Sequence, residues 1–272
     1  MPRFAANLSM LFTDVPFLDR FDRAARAGFE AVEFLFPYDH PAPEVARALR
    51  DAGVQLALHN LPAGDWAAGE RGIACDPERV QEFCEGLVLA LDYARVLGTP
   101  QINCLAGIVP AGVDEAAARA TLVGNLRQAS ATLGRKGIRL LLEPINTFDI
   151  PDFFVNRTAQ ALALMDEVGS PNLFLQYDLY HAQRMEGELS ATLQKHLRRI
   201  AHVQLADNPG RHEPGTGEMN YAHLLRWLDQ VGYNGWVGCE YKPLDAGPRG
   251  TEAGLDWVQR LSPQGLPSAQ AH

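Results

Sequence analysis

Residues 133–144 read Leu133-Gly134-Arg135-Lys136-Gly137-Ile138-Arg139-Leu140-Leu141-Leu142-Glu143-Pro144. Before this stretch, apolar residues recur at steps of four, three and four, as on one face of a helix: Leu122, Leu126, Ala129 and Leu133. Glycine suits the position just past a helix end, because it adopts positive φ without a Cβ clash. The stretch therefore predicts a helix that ends at Gly137 and a buried strand that ends at Glu143.

The same kind of joint recurs along the chain. Further glycines separate an amphipathic segment from an apolar run: Gly28, Gly53, Gly98, Gly169 and Gly232. The predicted strands are 4–12, 30–36, 54–60, 99–106, 138–145, 173–178, 200–206 and 235–241. Most of these runs are continuously apolar rather than alternating, which indicates parallel strands covered by helices.

Helices are predicted at 17–27, 43–52, 77–97, 113–136, 158–168, 188–198, 221–230 and 251–260. Eight strands that alternate with eight helices predict an α/β protein, a single (β/α)8 TIM barrel over residues 1–261. An open doubly wound sheet is the alternative, but no G-x-G-x-x-G turn follows the first strand. Residues 262–272 are predicted to form a flexible C-terminal tail.

The net charge of the chain limits the kinds of molecule that it is expected to bind. The 272 residues carry a formal net charge of -9, so nucleic acid and anionic membranes are disfavoured and a small solute is expected. The longest apolar segments are interrupted by charges and do not reach the roughly 18 residues of a membrane span. Four dispersed cysteines are expected to be reduced. We predict a cytoplasmic protein, and a homo-oligomer is compatible with this sequence.

Polar residues close four consecutive predicted strands. Glu143 ends the fifth strand, Asp178 the sixth, Gln204 the seventh and Glu240 the eighth. In a TIM barrel these ends meet at the catalytic mouth. Each residue alone is better explained as a structural group at a strand end, such as an acid that pairs with an arginine or caps the next helix. Together they predict a site for a hard divalent ion, Mg2+ or Mn2+.

Three further polar residues lie near the predicted mouth. His181 follows Asp178 by three positions, and His59 closes the third strand. Both are predicted to contact substrate, although a satisfied structural histidine explains each of them as well. Glu33, inside the second strand, is interpreted as a satisfied buried polar group.

The loop 62–72 is long, rich in glycine and carries Trp66 and Arg71, which is typical of a lid that excludes water. We predict that Arg71 binds a substrate carboxylate through its forked guanidinium. Glu70 is a weaker candidate. Lys242, two residues after Glu240, is a second candidate cation, with an ordinary surface lysine as the alternative.

The loop 207–218 has a similar density of polar residues. Within it, Arg211, His212 and Glu213 either line the site or form ion pairs inside the loop. We keep His212 and Glu213 as weak site candidates.

Several stretches resemble the hydroxypyruvate isomerases, within the xylose-isomerase-like barrels. The stretches that carry the resemblance are Asn7-Leu8-Ser9-Met10, residues 28–37, Gly64-Asp65, Ala68-Gly69-Glu70, His202-Val203-Gln204, residues 211–214 and residues 232–243. The resemblance implies that Glu143, Asp178, Gln204 and Glu240 hold the metal, and that Glu143 and Glu240 exchange protons with the substrate.

The resemblance also implies a reaction. The expected enzyme is an intramolecular oxidoreductase that interconverts hydroxypyruvate and tartronate semialdehyde through an enediolate, with a hydride shift as the rival mechanism. A 2-oxo-tetronate isomerase of four-carbon acid catabolism is expected nearly equally, because residues 59–66 and 69–72 are at least as similar to that second group. A ketose 3-epimerase, a metal-dependent endonuclease and a catalytically inactive sugar-acid binder are the remaining alternatives.

Overall fold

The computed structural model describes residues 2–261, so the predicted tail at 262–272 lies outside the described residues. Eight parallel strands form a closed barrel in chain order, and β1 pairs with β8. The strands are β1 Arg3–Asn7, β2 Ala31–Glu33, β3 Gln55–Asn60, β4 Gln101–Cys104, β5 Arg139–Leu142, β6 Leu173–Asp178, β7 Ile200–Leu205 and β8 Trp236–Cys239. The predicted single barrel is confirmed.

Helices lie between successive strands and cover the barrel from outside. They are α1 Arg20–Arg26, α2 Ala42–Ala52, α3 Val80–Leu97, α4 Glu115–Gly134, α5 Thr158–Val168, α6 Leu179–Met185, α7 Leu189–His196, α8 Tyr221–Gln230, α9 Gly250–Gly254 and α10 Asp256–Leu261. The six predicted joint glycines all have positive φ. No helix within residues 2–261 is long and apolar enough to cross a bilayer.

The observed strands are mostly shorter than predicted, and three further differences concern the first strand, α6 and the last helix. The first strand was expected to reach residue 12 but ends at Asn7, whose carbonyl accepts hydrogen bonds from the amides of Met10 and Leu11 and so starts a turn. Helix α6 was not predicted; it begins because the side chain of Asp178 accepts from the amide of Tyr180. The predicted last helix is divided into α9 and α10.

Two apolar layers enclose the strands. The large one lies between the barrel and the helices, while two small clusters lie inside the barrel. The interior clusters are Ala5, Ala31 and Ala57, and Leu58, Leu141 and Ala201. The four cysteines are free, as predicted. Toward the carboxyl ends of the strands the interior becomes polar, and this is where the candidate site lies.

Candidate active site

Strand register brings the predicted acids to one side of the mouth. Asp178 on β6 is in register with Gln204 on β7, and Gln204 is in register with Gly238 on β8. Glu240 follows two residues after Gly238, and Glu143 follows the last residue of β5. The four residues predicted as metal ligands therefore come from adjacent strands, as the sequence indicated.

The carboxylates are buried and close together. Ligand atoms of Glu143, Asp178 and His181 lie within 4.8 Å of one another. Glu240 is connected to this group through Arg211, whose Nη2 lies 3.6 Å from Glu240 Oε2 and 3.9 Å from Asp178 Oδ2. The three acids and His181 are almost completely shielded from solvent.

Burial makes the ionised forms of these acids costly. It raises the pKa of Glu143 to about 8, with a further contribution from the charge of Asp178. Burial likewise raises the pKa of Asp178 to about 6 and the pKa of Glu240 well above its ordinary value. Positive charge is therefore needed at this site if all three carboxylates are to be ionised near neutral pH.

Arg211 supplies part of that charge. Its guanidinium is buried, and burial alone would lower its pKa, but the charges of Glu240 and Asp178 raise it. Nη1 lies 3.5 Å from Asp149 Oδ2, on the side away from the other two acids. From the sequence, Arg211 was expected either to line the site or to form an ion pair within its own loop. In the structure it contacts the carboxylates of the site.

The remaining oxygens fit a divalent cation. Among residues 2–261, Asp178 Oδ2 and Glu240 Oε2 are buried without a hydrogen-bond partner. The second oxygen of Asp178 caps α6, and Asn103 donates to Glu143 Oε2 over 2.8 Å. Asp178 Oδ2 and Glu240 Oε2 face Arg211 at ion-pair distance but accept no hydrogen bond. Buried carboxylate oxygens of this kind are the donors that Mg2+ or Mn2+ prefers.

His181 is held in one tautomer. The Oδ1 atom of Asn146 accepts from the amides of Phe148 and Asp149 over 3.0 and 2.8 Å, so its Nδ2 must face the histidine. That Nδ2 lies 2.6 Å from Nδ1 of His181. Because Nδ1 accepts over the shorter distance, the ring proton belongs to Nε2, which lies 3.5 Å from Asp178 Oδ2. The Nη2 atom of Arg211 lies 3.4 Å from the same Nε2, and in this tautomer that longer contact between two donors is not a hydrogen bond. Burial lowers the pKa of His181 well below its ordinary value, so the ring is neutral.

A family model described as the xylose isomerase-like TIM barrel matches residues 21–261. The chain belongs to the xylose isomerase-like TIM barrel family. The family resemblance predicted from sequence is thereby confirmed, together with the fold.

Members of this family that are similar over nearly the whole chain include named isomerases. The hydroxypyruvate isomerase of Escherichia coli strain K12 is 55% identical over 95% of this chain and 98% of its own length. The 2-oxo-tetronate isomerase of Cupriavidus necator is 48% identical, with coverage of 95% and 98%. Among solved structures, AP endonuclease, family 2, from Brucella melitensis has a TM-score of 0.91 at 47% identity, covering 96% of this chain and 99% of that chain. The similarity to these two named isomerases supports an isomerase activity for this chain.

The predicted lid residues of this family member contact one another. The guanidinium of Arg71 stacks on the ring of Trp66 at 4.3 Å and donates to the backbone oxygens of Trp66 and Glu70. Glu70 forms an ion pair with Arg79, which lowers the pKa of the Glu70 carboxyl. These contacts stabilise the loop, and they do not bring Arg71 or Glu70 to the carboxylates.

The three candidates on the last two loops lie farther out. Lys242 is exposed and lines a cleft of about 450 Å3 between the loops after β1 and β8. His212 bonds through Nδ1 to the backbone oxygen of Lys242 over 2.8 Å. Glu213 is buried and accepts from the amide of Leu244. His212 and Glu213 therefore join the two loops to each other.

His59 is fully buried at the end of β3, where its ring packs against Phe34 and Tyr38. Burial lowers its pKa to about 3. Among the described residues neither ring nitrogen has a hydrogen bond of ordinary geometry, and the backbone of Ala90 on α3 is a polar neighbour of the ring. The structure thus brings His181 to the carboxylates but leaves His59 in an aromatic environment.

Sequence reasoning did not single out Asn103, Asn146 or Gln176 as parts of the site. For two of them a signal was present, because Asn103 and Gln176 are polar residues within nearly apolar strand runs. Gln176 precedes Asp178 by two positions, the spacing that puts two side chains on one face of a strand. Asn146 lies in a loop, where no such period applies.

Proposed function

We propose that the protein is a divalent-metal-dependent isomerase that interconverts hydroxypyruvate and tartronate semialdehyde. The observation that carries the proposal is the pair of buried carboxylate oxygens on Asp178 and Glu240 that accept no hydrogen bond, next to Glu143 at the mouth. The 55% identity to a hydroxypyruvate isomerase over nearly the full length supports the substrate. An enzyme of this kind has to move one proton between adjacent carbon atoms.

The residues that would hold the ion are Glu143, Asp178, Gln204 and Glu240, and the oxygen ligands fit Mg2+ or Mn2+. When bound, the ion would supply positive charge beside the two substrate oxygens that exchange carbonyl and hydroxyl character. Glu143 and Glu240 are the proposed acid and base. Asn103 donates to one oxygen of Glu143. The other oxygen would therefore serve both the ion and the proton transfer, the latter through its second lone pair or after a shift in coordination.

Two neighbouring donors are proposed to bind the substrate. His181 presents the proton of Nε2 toward the carboxylates and is placed to donate to a substrate oxygen. Arg211 presents Nη2 to the same space and is proposed to pair with the substrate carboxylate. Arg71 remains a predicted carboxylate ligand, but its present contacts lie within the lid, so Arg211 is the better-placed cation.

A second candidate function is a 2-oxo-tetronate isomerase. The relative of that name is 48% identical with equal coverage of this chain. The same carboxylates, His181 and Arg211 would serve a four-carbon acid, so the substrates differ only in what extends beyond the reacting carbons.

The positions of the histidines bear on the alternative that the protein is a metal-dependent endonuclease. Such sites hold several zinc ions and need several histidines, but here His181 alone of the three strand-end histidines lies at the carboxylates in the described part of the chain. His202 bonds to Glu33 and Gln101 inside the barrel, and His59 packs against aromatic rings. This arrangement favours the isomerase.

The deciding assay measures turnover of hydroxypyruvate, a 2-oxo-tetronate and a free ketohexose by EDTA-treated protein, with and without Mg2+ or Mn2+. We expect metal-restored isomerisation of hydroxypyruvate, with the tetronate as the nearest competitor. Higher kcat/KM on the tetronate would transfer the assignment to the second candidate. Turnover of the ketohexose alone would indicate the epimerase.

A further inference from the structure

Glu33 lies at the centre of a buried polar network inside the barrel. It comes from β2 and is completely shielded from solvent. Its carboxylate accepts from Asn7 Nδ2 over 3.0 Å, from His202 Nε2 over 2.6 Å and from Gln204 Nε2 over 2.8 Å. Three donors satisfy the charge, as the sequence interpretation of a satisfied buried group expected. One of the three belongs to a proposed metal ligand.

The bond to Glu33 fixes which way the amide of Gln204 points. A carboxylate accepts hydrogen bonds only, so it binds the NH2 end of the amide and turns the oxygen to the other side. On that side Gln204 Oε1 accepts from Gln176 Nε2 over 2.6 Å. Gln176 also contacts Glu143, one of the buried acids at the mouth. The amide oxygen is thus on the side of Gln176, which connects it to Glu143.

Strand β8 leaves space for this carboxylate. A Cβ atom built on Gly238 would collide with both carboxylate oxygens of Glu33. Gly238 is in register with Gln204, so the missing side chain lies directly beside the Glu33 to Gln204 bond. The absence of a side chain at this position is required by the network and not by a turn.

We propose that Glu33 is a positioning residue that holds the carbonyl oxygen of Gln204 toward the divalent cation. The proposal rests on the proposed function, because it needs Gln204 to be a metal ligand. Without Glu33 only Gln176 contacts the amide, and Gln176 can donate or accept because it is an amide itself. The NH2 end of Gln204 then faces the metal in a share of the molecules. A residue that orients a ligand in this way typically contributes about 10- to 100-fold to metal affinity.

The test is the Mn2+ dissociation constant of the full-length protein, measured by calorimetry and by the loss of free Mn2+ signal in electron paramagnetic resonance. The variants are Glu33→Gln, Gln204→Ala and the double variant. We expect each single substitution to weaken Mn2+ binding about 10- to 100-fold. The double variant is expected to bind no more weakly than Gln204→Ala, because Glu33 acts through Gln204.

Two further variants separate positioning from a general structural role. Asn7→Ala removes a donor to Glu33 but leaves its bond to Gln204, so it should lower Tm while Mn2+ affinity stays within about threefold. Glu33→Asp keeps an acceptor-only group and should bind Mn2+ more tightly than Glu33→Gln. If Glu33→Gln does not fold, Gly238→Ala, which displaces the carboxylate from β8, replaces it in the comparison.

The outcomes distinguish failure of the proposed metal-dependent function from failure of the positioning role of Glu33. Wild-type protein that binds no Mn2+ would overturn the proposed function and this inference together. Wild-type Mn2+ affinity in Gln204→Ala would overturn the inference but leave a metal held by the three acids. If Gln204→Ala binds weakly, wild-type affinity in Glu33→Gln, or multiplicative losses in the double variant, would overturn the inference alone.

Discussion

Asn146 Nδ2 donates to His181 Nδ1 over 2.6 Å, and the amide cannot reverse because its oxygen accepts from two backbone amides. This one contact puts the imidazole proton on Nε2, the nitrogen that faces Asp178 and Glu143. A loop residue after β5 thereby decides whether a side chain on α6 donates or accepts at the mouth.

Replacing Asn146 by Asp should reverse this tautomer. A carboxylate still accepts from the two backbone amides, but it requires a proton on Nδ1, so Nε2 of a neutral ring becomes an acceptor. We expect kcat to fall about 100-fold, the size of one lost hydrogen-bond donor to the charge that develops on a substrate oxygen, with a smaller change in KM. Steady-state kinetics and 15N chemical shifts of the His181 ring measure both effects. An Nε2 proton retained in Asn146→Asp would contradict the assignment.

Glu143→Gln and Glu240→Gln should each lower kcat about a thousandfold or more, because the amide cannot exchange a proton with carbon. Glu167→Gln serves as the control, since Glu167 is an exposed carboxylate that pairs with Arg119 on the outer surface. Stopped assays with saturating Mn2+ keep metal loss from limiting the comparison. Turnover within tenfold of wild type in either site variant would remove that residue from the acid and base pair.

Substitution of Arg211 is expected to raise the KM for hydroxypyruvate more than substitution of Arg71. A charge-assisted hydrogen bond to the substrate carboxylate contributes about 1.5 to 3 kcal/mol, so Arg211→Met should raise KM for hydroxypyruvate about 10- to 100-fold. Arg71→Met is the matched variant and should change KM less, because Arg71 contacts Trp66 and Glu70 within the lid. A larger rise in KM for Arg71→Met would restore it as the principal carboxylate ligand.

We predict that the folded protein loses stability as the pH falls, because His59 is buried with a lowered pKa. Its folded pKa is about 3 against an ordinary value of 6.5, so between these values the unfolded chain binds a proton that the folded protein rejects. The free energy of unfolding therefore falls as pH drops below 6.5, by about 2 kcal/mol from this residue at pH 5.

Urea unfolding of wild type and His59→Phe at pH 5, 6 and 7.5 gives the free energy of unfolding of each protein. The difference between their pH dependences measures the contribution of His59. The Phe variant should lose less stability on acidification, since its ring carries no titratable group. Parallel pH dependences would contradict the assignment. A raised KM in the same variant would support the substrate contact predicted from the sequence.

The sequence was sufficient for the barrel and for the strand-end acids, because both depend on periodicity and on where apolar runs stop. Arg211 and Asn146 lie in loops whose paths depend on tertiary contacts, so no period assigns their direction. His59 shows a second limit. The register between β2 and β3 shifts at Val32/Glu33, and such an irregularity breaks the alternation that would have told which side of the barrel His59 faces.

The most direct test of the central claim is conversion of hydroxypyruvate in D2O by Mn2+-loaded enzyme, followed by NMR, with Glu143→Gln as the blank for uncatalysed exchange. Proton transfer through Glu143 and Glu240 predicts solvent deuterium at C2 of the tartronate semialdehyde formed. Conversion with only protium at C2, or no metal-dependent conversion, would contradict the account.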